Sequence, residues 1–186
     1  GAKATIVMPA DAPAIKRART ARAGATIVDY DRATEDRDAV VNAYIARHGG
    51  TLIHPYEDPR VIAGQATAGI EIAEDAAAAG LELDAVLVPC SGGGLAAGIA
   101  LAIRALSPRT ATHIVEPAGF DDYARSLAAA TILSNPRASG SVCDALLATR
   151  PGALGFALNR TNVSGAMTVS DDEALAAVAF AFRELK

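Results

Sequence analysis

A run of glycines between an apolar segment and a helix-like segment is the strongest candidate for chemistry in the sequence. "DAVLVP" is followed by Cys90, Ser91 and the glycines Gly92, Gly93 and Gly94, after which "LAAGIALAIRALS" has helical spacing. Glycines lack a Cβ atom, so successive backbone N–H groups can turn into one concavity. The following helix adds unpaired amides and the positive end of its dipole. The loop is therefore predicted to bind a phosphate group; a tight strand-to-helix turn without a ligand is the alternative.

Two kinds of phosphorylated ligand fit this loop. Gly92, Gly94 and Ala97 satisfy the G-x-G-x-x-A pattern of dinucleotide-binding turns. Glu116 ends the next predicted strand about 20 residues further on, where such turns have a ribose-binding acid. However, a dinucleotide turn usually opens its domain, whereas two strand–helix units precede this one. A cofactor with a single phosphate is the other candidate.

Strands and helices alternate along the chain. The segments "ATIVMP", "ATIVDYD", "DAVLVP", "THIVEP" and "AMTV" have the pattern of strands, with helical segments between them. This alternation predicts an α/β fold with parallel sheets covered on both faces, a three-layer αβα arrangement. The all-apolar "AVLV" indicates a central strand that is buried on both faces. The prolines of "TLIHPYEDP" indicate a crossing between two packing units, predicted at residues 1–53 and 54–186.

Composition excludes several classes of function. A net charge of −4 and an aromatic content of 4% offer neither a basic surface for phosphodiesters nor a stacking platform for bases, so no nucleic-acid partner is predicted. The longest uncharged apolar tract, "LAAGIALAI", has about half the length of a bilayer span, and no membrane partner is predicted. Cys90 and Cys143 are too few for a disulfide framework, which favours a cytoplasmic location.

Several linked segments show a family resemblance. In this order and spacing, the sequence resembles the serine/threonine dehydratase and serine racemase branch of the fold type II (tryptophan synthase β-like) pyridoxal-phosphate enzymes in the segments "HPYEDPRVIAGQAT", "VLVPCSGGGLAAGIA", "VEPAGFDDYARS" and "SDDEALAAVAFAFRELK". The resemblance covers essentially all 186 residues. It implies pyridoxal 5'-phosphate as cofactor, a small hydroxy-amino acid as substrate and a homodimer. Residues 1–53 would belong to the small domain and residues 54–186 to the large one.

The resemblance also implies a set of site residues. The cofactor phosphate would be held by the backbone amides of Ser91, Gly92, Gly93, Gly94 and Leu95. Serine stands at position 91, where the family often has a glycine; its amide is still available and its hydroxyl adds a donor. "GSVCDALL" resembles the stretch near the cofactor ring, although an alanine stands at position 145 where many members have glycine.

The segment "EPAGFDD" resembles the divalent-cation loop of the family. By that resemblance Glu116 and Asp122 would supply carboxylates and Phe120 a backbone carbonyl, which are hard oxygen ligands suited to Mg²⁺ or Ca²⁺. A solvated acidic turn that caps the following helix through Asp121 or Asp122 is the alternative.

The resemblance predicts a hydroxy-amino-acid ammonia-lyase that forms a 2-oxo acid and ammonia, with racemisation as a related activity. Serine, threonine and 3-hydroxyaspartate are the candidate substrates. A nicotinamide- or flavin-binding oxidoreductase and a non-catalytic binding module are the alternatives from other classes.

Pyridoxal chemistry requires a lysine that binds the coenzyme covalently. Lys3, Lys16 and Lys186 are the lysines of the chain, and none has the Ser-Phe-Lys-x-Arg-Gly context of the family. We therefore expect a piece of an enzyme, cut at both ends, that is inactive alone, and no catalytic residue is predicted within it.

Overall fold

The chain divides into two units, Gly1–Leu52 and Ile53–Lys186. The structure, a computed structural model, describes residues 2–185; Gly1 and the candidate lysine Lys186 lie outside the described residues. Each unit combines helices with parallel strands, so the predicted α/β fold with parallel sheets is confirmed.

The first unit contains a two-stranded parallel sheet. Its elements are β1 (Thr5–Pro9), α1 (Ala14–Arg22), β2 (Thr26–Tyr30) and α2 (Arg37–His48). The guanidinium of Arg17 on α1 donates two hydrogen bonds to the Asp29 carboxylate on β2, at 2.5 and 3.0 Å. This bidentate pair fixes α1 against the strand that follows it.

The second unit contains a three-stranded parallel sheet with the strand order β3-β4-β5. Its elements are α3 (Pro59–Ala78), β3 (Ala85–Pro89), α4 (Gly94–Leu106), β4 (Ala111–Pro117), α5 (Asp122–Ala129), a 3₁₀ turn (Asp144–Leu146), α6 (Ala153–Asn162), β5 (Gly165–Val169), α7 (Asp171–Phe180) and a π-helical turn (Ala181–Leu185).

Strand β3 differs from its prediction as a central strand buried on both faces. Among residues 2–185 it is an edge strand of its sheet. Val86 and Val88 are buried in the core with Ile99 and Ile103 of α4, whereas Leu87, on the opposite face, is 59% exposed. The apolar run predicted the strand correctly, but an all-apolar run does not tell how many faces the rest of the chain covers.

Helices α3 and α4 approach each other closely through two glycines. A Cβ atom on Gly98 would lie 2.6 Å from the carbonyl oxygen of Ile62 and from the backbone nitrogen of Ala66. A Cβ atom on Gly69 would lie 2.9 Å from the Ile99 backbone. Because Gly69 and Gly98 lack side chains, α4 can pack at this short distance from α3.

None of the helices within residues 2–185 combines the length and the apolar character that a membrane span requires.

We expect Gly98→Ala to lower the free energy of unfolding by about 1–3 kcal/mol, because the added methyl group meets backbone atoms that cannot move aside singly. Gly64→Ala on α3 is the matched control: no atom lies within 4 Å of its Cβ position, so it should be neutral or stabilise by up to about 1 kcal/mol through helix propensity. Chemical denaturation of both variants measures the difference. Equal effects at the two positions would contradict the close contact.

Candidate functional site

The glycine loop connects the end of β3 to the start of α4. Gly93 is the N-cap of α4 and has φ 92°, in the left-handed region that favours glycine. The glycines at positions 92–94 are buried. Within residues 2–185, no protein atom accepts a hydrogen bond from the backbone N–H groups of residues 91–95. Buried amides without a protein acceptor fit the predicted binding of an oxyanion.

The loop carbonyls, in contrast, have protein donors. The carbonyl of Gly92 accepts from the N–H of Gly152 at 3.0 Å. The carbonyl of Gly93 accepts from the N–H of Ala97 at 2.9 Å and from the Asn159 side-chain amide at 3.0 Å. In a trans peptide the C=O and N–H groups point in opposite directions. The bonds to α6 and its N-cap therefore turn the N–H groups of Gly93 and Gly94 away from α6.

Two tyrosine rings occupy the space beside the glycines. A Cβ atom on Gly92 would lie 2.4 Å from the Tyr56 ring, and one on Gly94 would lie 2.8 Å from the Cα atom of Tyr56. A Cβ atom on Gly93 would lie 2.3 Å from the hydroxyl oxygen of Tyr123. The positions thus require glycine for their contacts, and at Gly93 also for its φ.

The other predicted loop residues have mixed environments. Ser91 is half-buried, and its hydroxyl oxygen accepts from the N–H of Ala148 at 3.0 Å. This bond fixes the segment after the Asp144–Leu146 turn to the loop and leaves the hydroxyl proton available for donation. Leu95 is half-buried in the first turn of α4, whereas Ala145, predicted to lie near the cofactor ring, is exposed.

The carboxylate predicted to bind a metal or a ribose caps a helix. Glu116, at the end of β4, is fully buried and accepts from the N–H of Tyr123 at 2.9 Å and from the N–H of Ala124 at 2.8 Å. Asp121 makes no capping hydrogen bond and pairs with Arg125 instead. The alternative prediction, a solvated turn that caps α5 through Asp121 or Asp122, is therefore wrong. A buried glutamate from the preceding strand caps this helix.

Asp122 and Phe120 lie beside this cap. One oxygen of the Asp122 carboxylate accepts from the side-chain amide of Asn135. Its other oxygen, Oδ2, is buried and has no hydrogen-bond partner within residues 2–185. The Phe120 ring is buried, with the Arg137 guanidinium 5.2 Å from its centroid. Across residues 2–185, no three His, Cys, Asp or Glu side chains are grouped as metal ligands.

Burial raises the pKa of both carboxyl groups. The pKa of Glu116 rises from 4.5 to about 7, mainly by burial, against the opposing hydrogen bonds from Ala124 and Tyr123. The pKa of Asp122 rises from 3.8 to about 6 for the same first cause, opposed chiefly by the hydrogen bond from Asn135. Burial also raises the pKa of the Cys90 thiol, which makes this side chain a poor nucleophile near neutral pH.

The residues that hold the loop from outside are not predicted by the sequence patterns. Tyr56 and Glu57 belong to the "HPYEDP" segment, which indicates a crossing between units and carries part of the family resemblance but predicts no role for either side chain. Glu57 accepts from the N–H of Leu154 at 2.6 Å and so caps α6. Asn159 and Tyr123 were unassigned because they lie on helices whose sequences indicate only a core-facing side. A buried polar side chain in an apolar helix face was the one available signal.

The whole chain is similar to known proteins. A sequence model described as "Pyridoxal-phosphate dependent enzyme" matches residues 1–186. L-threo-3-hydroxyaspartate ammonia-lyase of Saccharomyces cerevisiae is 42% identical over 185 residues, which make up 98% of this chain and 55% of that protein. Serine racemase of Dictyostelium discoideum is 34% identical, over 99% of this chain and 56% of that protein.

Solved structures share the fold. The crystal structure of a threonine deaminase from T.th. matches with a TM-score of 0.88 and 38% identity, over 100% of this chain and 58% of that one. The chain spans about half the length of the curated relatives it matches.

The raised pKa of Asp122 predicts how stability depends on pH. The folded protein holds this proton more tightly than the unfolded chain, so the contribution of the group to stability is present below pH 3.8 and is lost as pH rises to about 6. Over this range the free energy of unfolding should fall by about 2–3 kcal/mol because of Asp122. We expect Asp122→Asn, which keeps an oxygen that accepts from Asn135, to abolish this fall.

Chemical denaturation between pH 4 and 8 with a chelator present measures this effect. Asp121→Asn is the matched control, because the Asp121 side chain is 35% exposed and pairs with Arg125 at the surface. If the free energy of unfolding lost its pH dependence equally in both variants, the assignment of that dependence to Asp122 would be contradicted.

Proposed function

This chain belongs to the pyridoxal-phosphate-dependent enzyme family, and we propose that it is part of a longer ammonia-lyase that acts on small hydroxy-amino acids. The observation that carries the proposal is the set of backbone amides at residues 91–95, which have no acceptor within residues 2–185 and of which the three from glycines are buried. Ser91, Gly92, Gly93, Gly94 and Leu95 would hold the phosphate of pyridoxal 5'-phosphate. The relatives are named as an ammonia-lyase, a racemase and a deaminase, which supports this class of reaction.

When bound, pyridoxal phosphate supplies an electron sink for the carbanion left by removal of the substrate α-proton. The contribution of this chain is to anchor the phosphate. Gly93 and Gly94 direct their N–H groups away from α6, and the start of α4 adds the positive end of the helix dipole. A phosphate held by fixed dipoles needs little reorganisation on binding, so the cofactor ring can be held in one place.

The identity of the substrate has two candidates with support. Serine or threonine agrees with the resemblance and with the racemase and deaminase relatives. L-threo-3-Hydroxyaspartate is favoured by the 42% identity to the yeast ammonia-lyase. The residues that would read the substrate carboxylates are proposed to lie outside this chain.

The lysine that binds the coenzyme is also proposed to lie outside this chain. Lys3, Lys16 and Lys186 all lack the Ser-Phe-Lys-x-Arg-Gly context of the family. The chain alone is therefore proposed to be inactive. Residues 1–53 and 54–186 would belong to the small and large domains of the longer enzyme, which we propose to be a cytoplasmic homodimer without nucleic-acid or membrane partners.

A divalent cation is a further proposal for the acidic loop. The partnerless Oδ2 of Asp122 is an available ligand, and each oxygen of Glu116 has a second lone pair beyond the one used by an amide. With the carbonyl of Phe120 these atoms would hold Mg²⁺ or Ca²⁺. A cation here would compensate two buried carboxylates whose raised pKa values reflect the cost of burying their charge.

Dinucleotide binding has less support from the geometry. The Glu116 carboxylate is fully buried against the start of α5, so a ribose, which is much larger than a single cation, would reach it only if α5 moved away. Binding a dinucleotide would therefore cost part of the stability of α5.

Titration of the full-length protein with pyridoxal phosphate and with NADH separates the two ligands. We expect saturable binding of pyridoxal phosphate only, measured by its absorbance. Gly93→Ala should weaken that binding at least about tenfold, because a side chain is strained at φ 92° and meets Tyr123. Gly64→Ala should leave it unchanged. Saturable NADH binding that Glu116→Ala abolishes would contradict the proposal.

Titration with Mg²⁺ or Ca²⁺ tests the proposed cation. At a concentration about 100 times the dissociation constant, we expect a bound cation to raise the free energy of unfolding by about 2.7 kcal/mol. Asp122→Asn should remove this gain, whereas Asp121→Asn should keep it. Loss of the gain in both variants would indicate non-specific screening and overturn the proposed site.

A further inference from the structure

A buried amide side chain on α6 contacts the glycine loop. Asn159 is 0% exposed, and its Nδ2 donates to the carbonyl oxygen of Gly93 at 3.0 Å and to the hydroxyl oxygen of Tyr123 at 2.8 Å. A carbonyl oxygen only accepts hydrogen bonds, so the contact with Gly93 requires the NH₂ group of Asn159 on that side. The orientation of the amide is thereby settled by its environment.

The contact acts on one peptide group of the loop. Gly93 has φ 92°, and glycine backbones can adopt several orientations in such a turn. The N–H of Ala97 also reaches the Gly93 carbonyl, as the first hydrogen bond of any helix at this position. Asn159 adds a second donor, and within residues 2–185 it is the only side chain that hydrogen-bonds a carbonyl of Gly92, Gly93 or Gly94. Because two donors bind its carbonyl, the peptide between Gly93 and Gly94 has a fixed orientation, and the N–H of Gly94 points in one direction.

Packing alone does not account for an asparagine at this position. The Oδ1 atom of Asn159 is buried and has no hydrogen-bond partner within residues 2–185. Leaving a buried polar atom unsatisfied costs about 1–3 kcal/mol, which an apolar side chain of similar size would avoid. The side chain therefore carries a cost in stability, which its two donated hydrogen bonds, to the loop and to Tyr123, offset.

Backbone contacts of α6 also hold the loop carbonyls in place. The N–H of Gly152 donates to the carbonyl of Gly92, and a Cβ atom on Gly155 would lie 3.2 Å from that same carbonyl oxygen. The Glu57 carboxylate, through Leu154, holds the start of the helix. Helix α6 thus lies directly against the loop carbonyls, and a side chain on it has little freedom to move away from them.

We propose that Asn159 is a positioning residue, which fixes the peptide between Gly93 and Gly94 so that its N–H faces the cofactor phosphate. This inference depends on the proposed function of the loop as a phosphate cradle. Asn159 touches neither substrate nor cofactor in this role; it acts through the orientation of a loop amide. Its effect should therefore appear in recognition of the phosphate group and not of the rest of the cofactor.

The full-length protein, freed of coenzyme, should be titrated with pyridoxal phosphate and with pyridoxal, which lacks the phosphate. The measured quantity is the ratio of the two dissociation constants. Asn159→Leu and Asn159→Ala both remove the donor to Gly93 without adding a charge, and we expect each to lower the preference for the phosphorylated form at least about tenfold. If the leucine variant does not fold, the alanine variant, whose side chain is smaller than that of asparagine, decides the outcome.

Asn162→Leu is the matched control, since Asn162 lies on the same helix and contacts Arg104 and Leu158 instead of the loop. We expect its preference to stay within about twofold of the original, with thermal unfolding confirming that all compared variants are folded. A preference that survives both Asn159 substitutions, or that falls equally in Asn162→Leu, overturns this inference alone. An unsubstituted protein that binds pyridoxal as tightly as its phosphate overturns the proposed cradle and this inference with it.

Discussion

The hydrogen bonds that hold the carbonyls of Gly92 and Gly93 against α6 constrain much of the second unit. Because a trans peptide places its N–H opposite its C=O, donors on α6 decide where the loop amides point. The same bonds require α6 to begin next to the loop, which Glu57 secures by capping the first turn of that helix. The proposed site for an anion is thereby built from backbone atoms, while side chains outside the loop hold those atoms in place.

Buried carboxylates lie one strand away from this anion site. Glu116 gives its hydrogen-bonding capacity to the start of α5, so a negative charge that is costly to bury meets the positive end of a helix. Asp122 has only one of its oxygens engaged, and the pKa values of both groups are raised. The loop proposed for an anion and the acidic side chains of Glu116 and Asp122 therefore have opposite electrostatic requirements.

The sequence predicted the parts of this arrangement that depend on local patterns. Alternating strands and helices predicted the parallel sheets, and the three glycines after an apolar strand predicted the loop between β3 and α4. It did not predict that β3 is an edge strand or that Asn159 and Tyr123 reach Gly93, because these contacts join residues 30 or more positions apart. As a helix cap, the acidic segment indicated Asp121 or Asp122. Glu116 caps α5 instead, and it reaches the helix from the preceding strand.

The exposed side of β3 has a consequence for handling the isolated polypeptide. Leu87 on β3 and Met167 on β5 expose apolar surface, and β3 has no further strand beside it within residues 2–185. Unpaired edges with apolar side chains are templates for intermolecular pairing. A concentrated preparation of these 186 residues should therefore self-associate in a concentration-dependent manner, and dilute samples or solubilising fusions will be needed for measurements in solution.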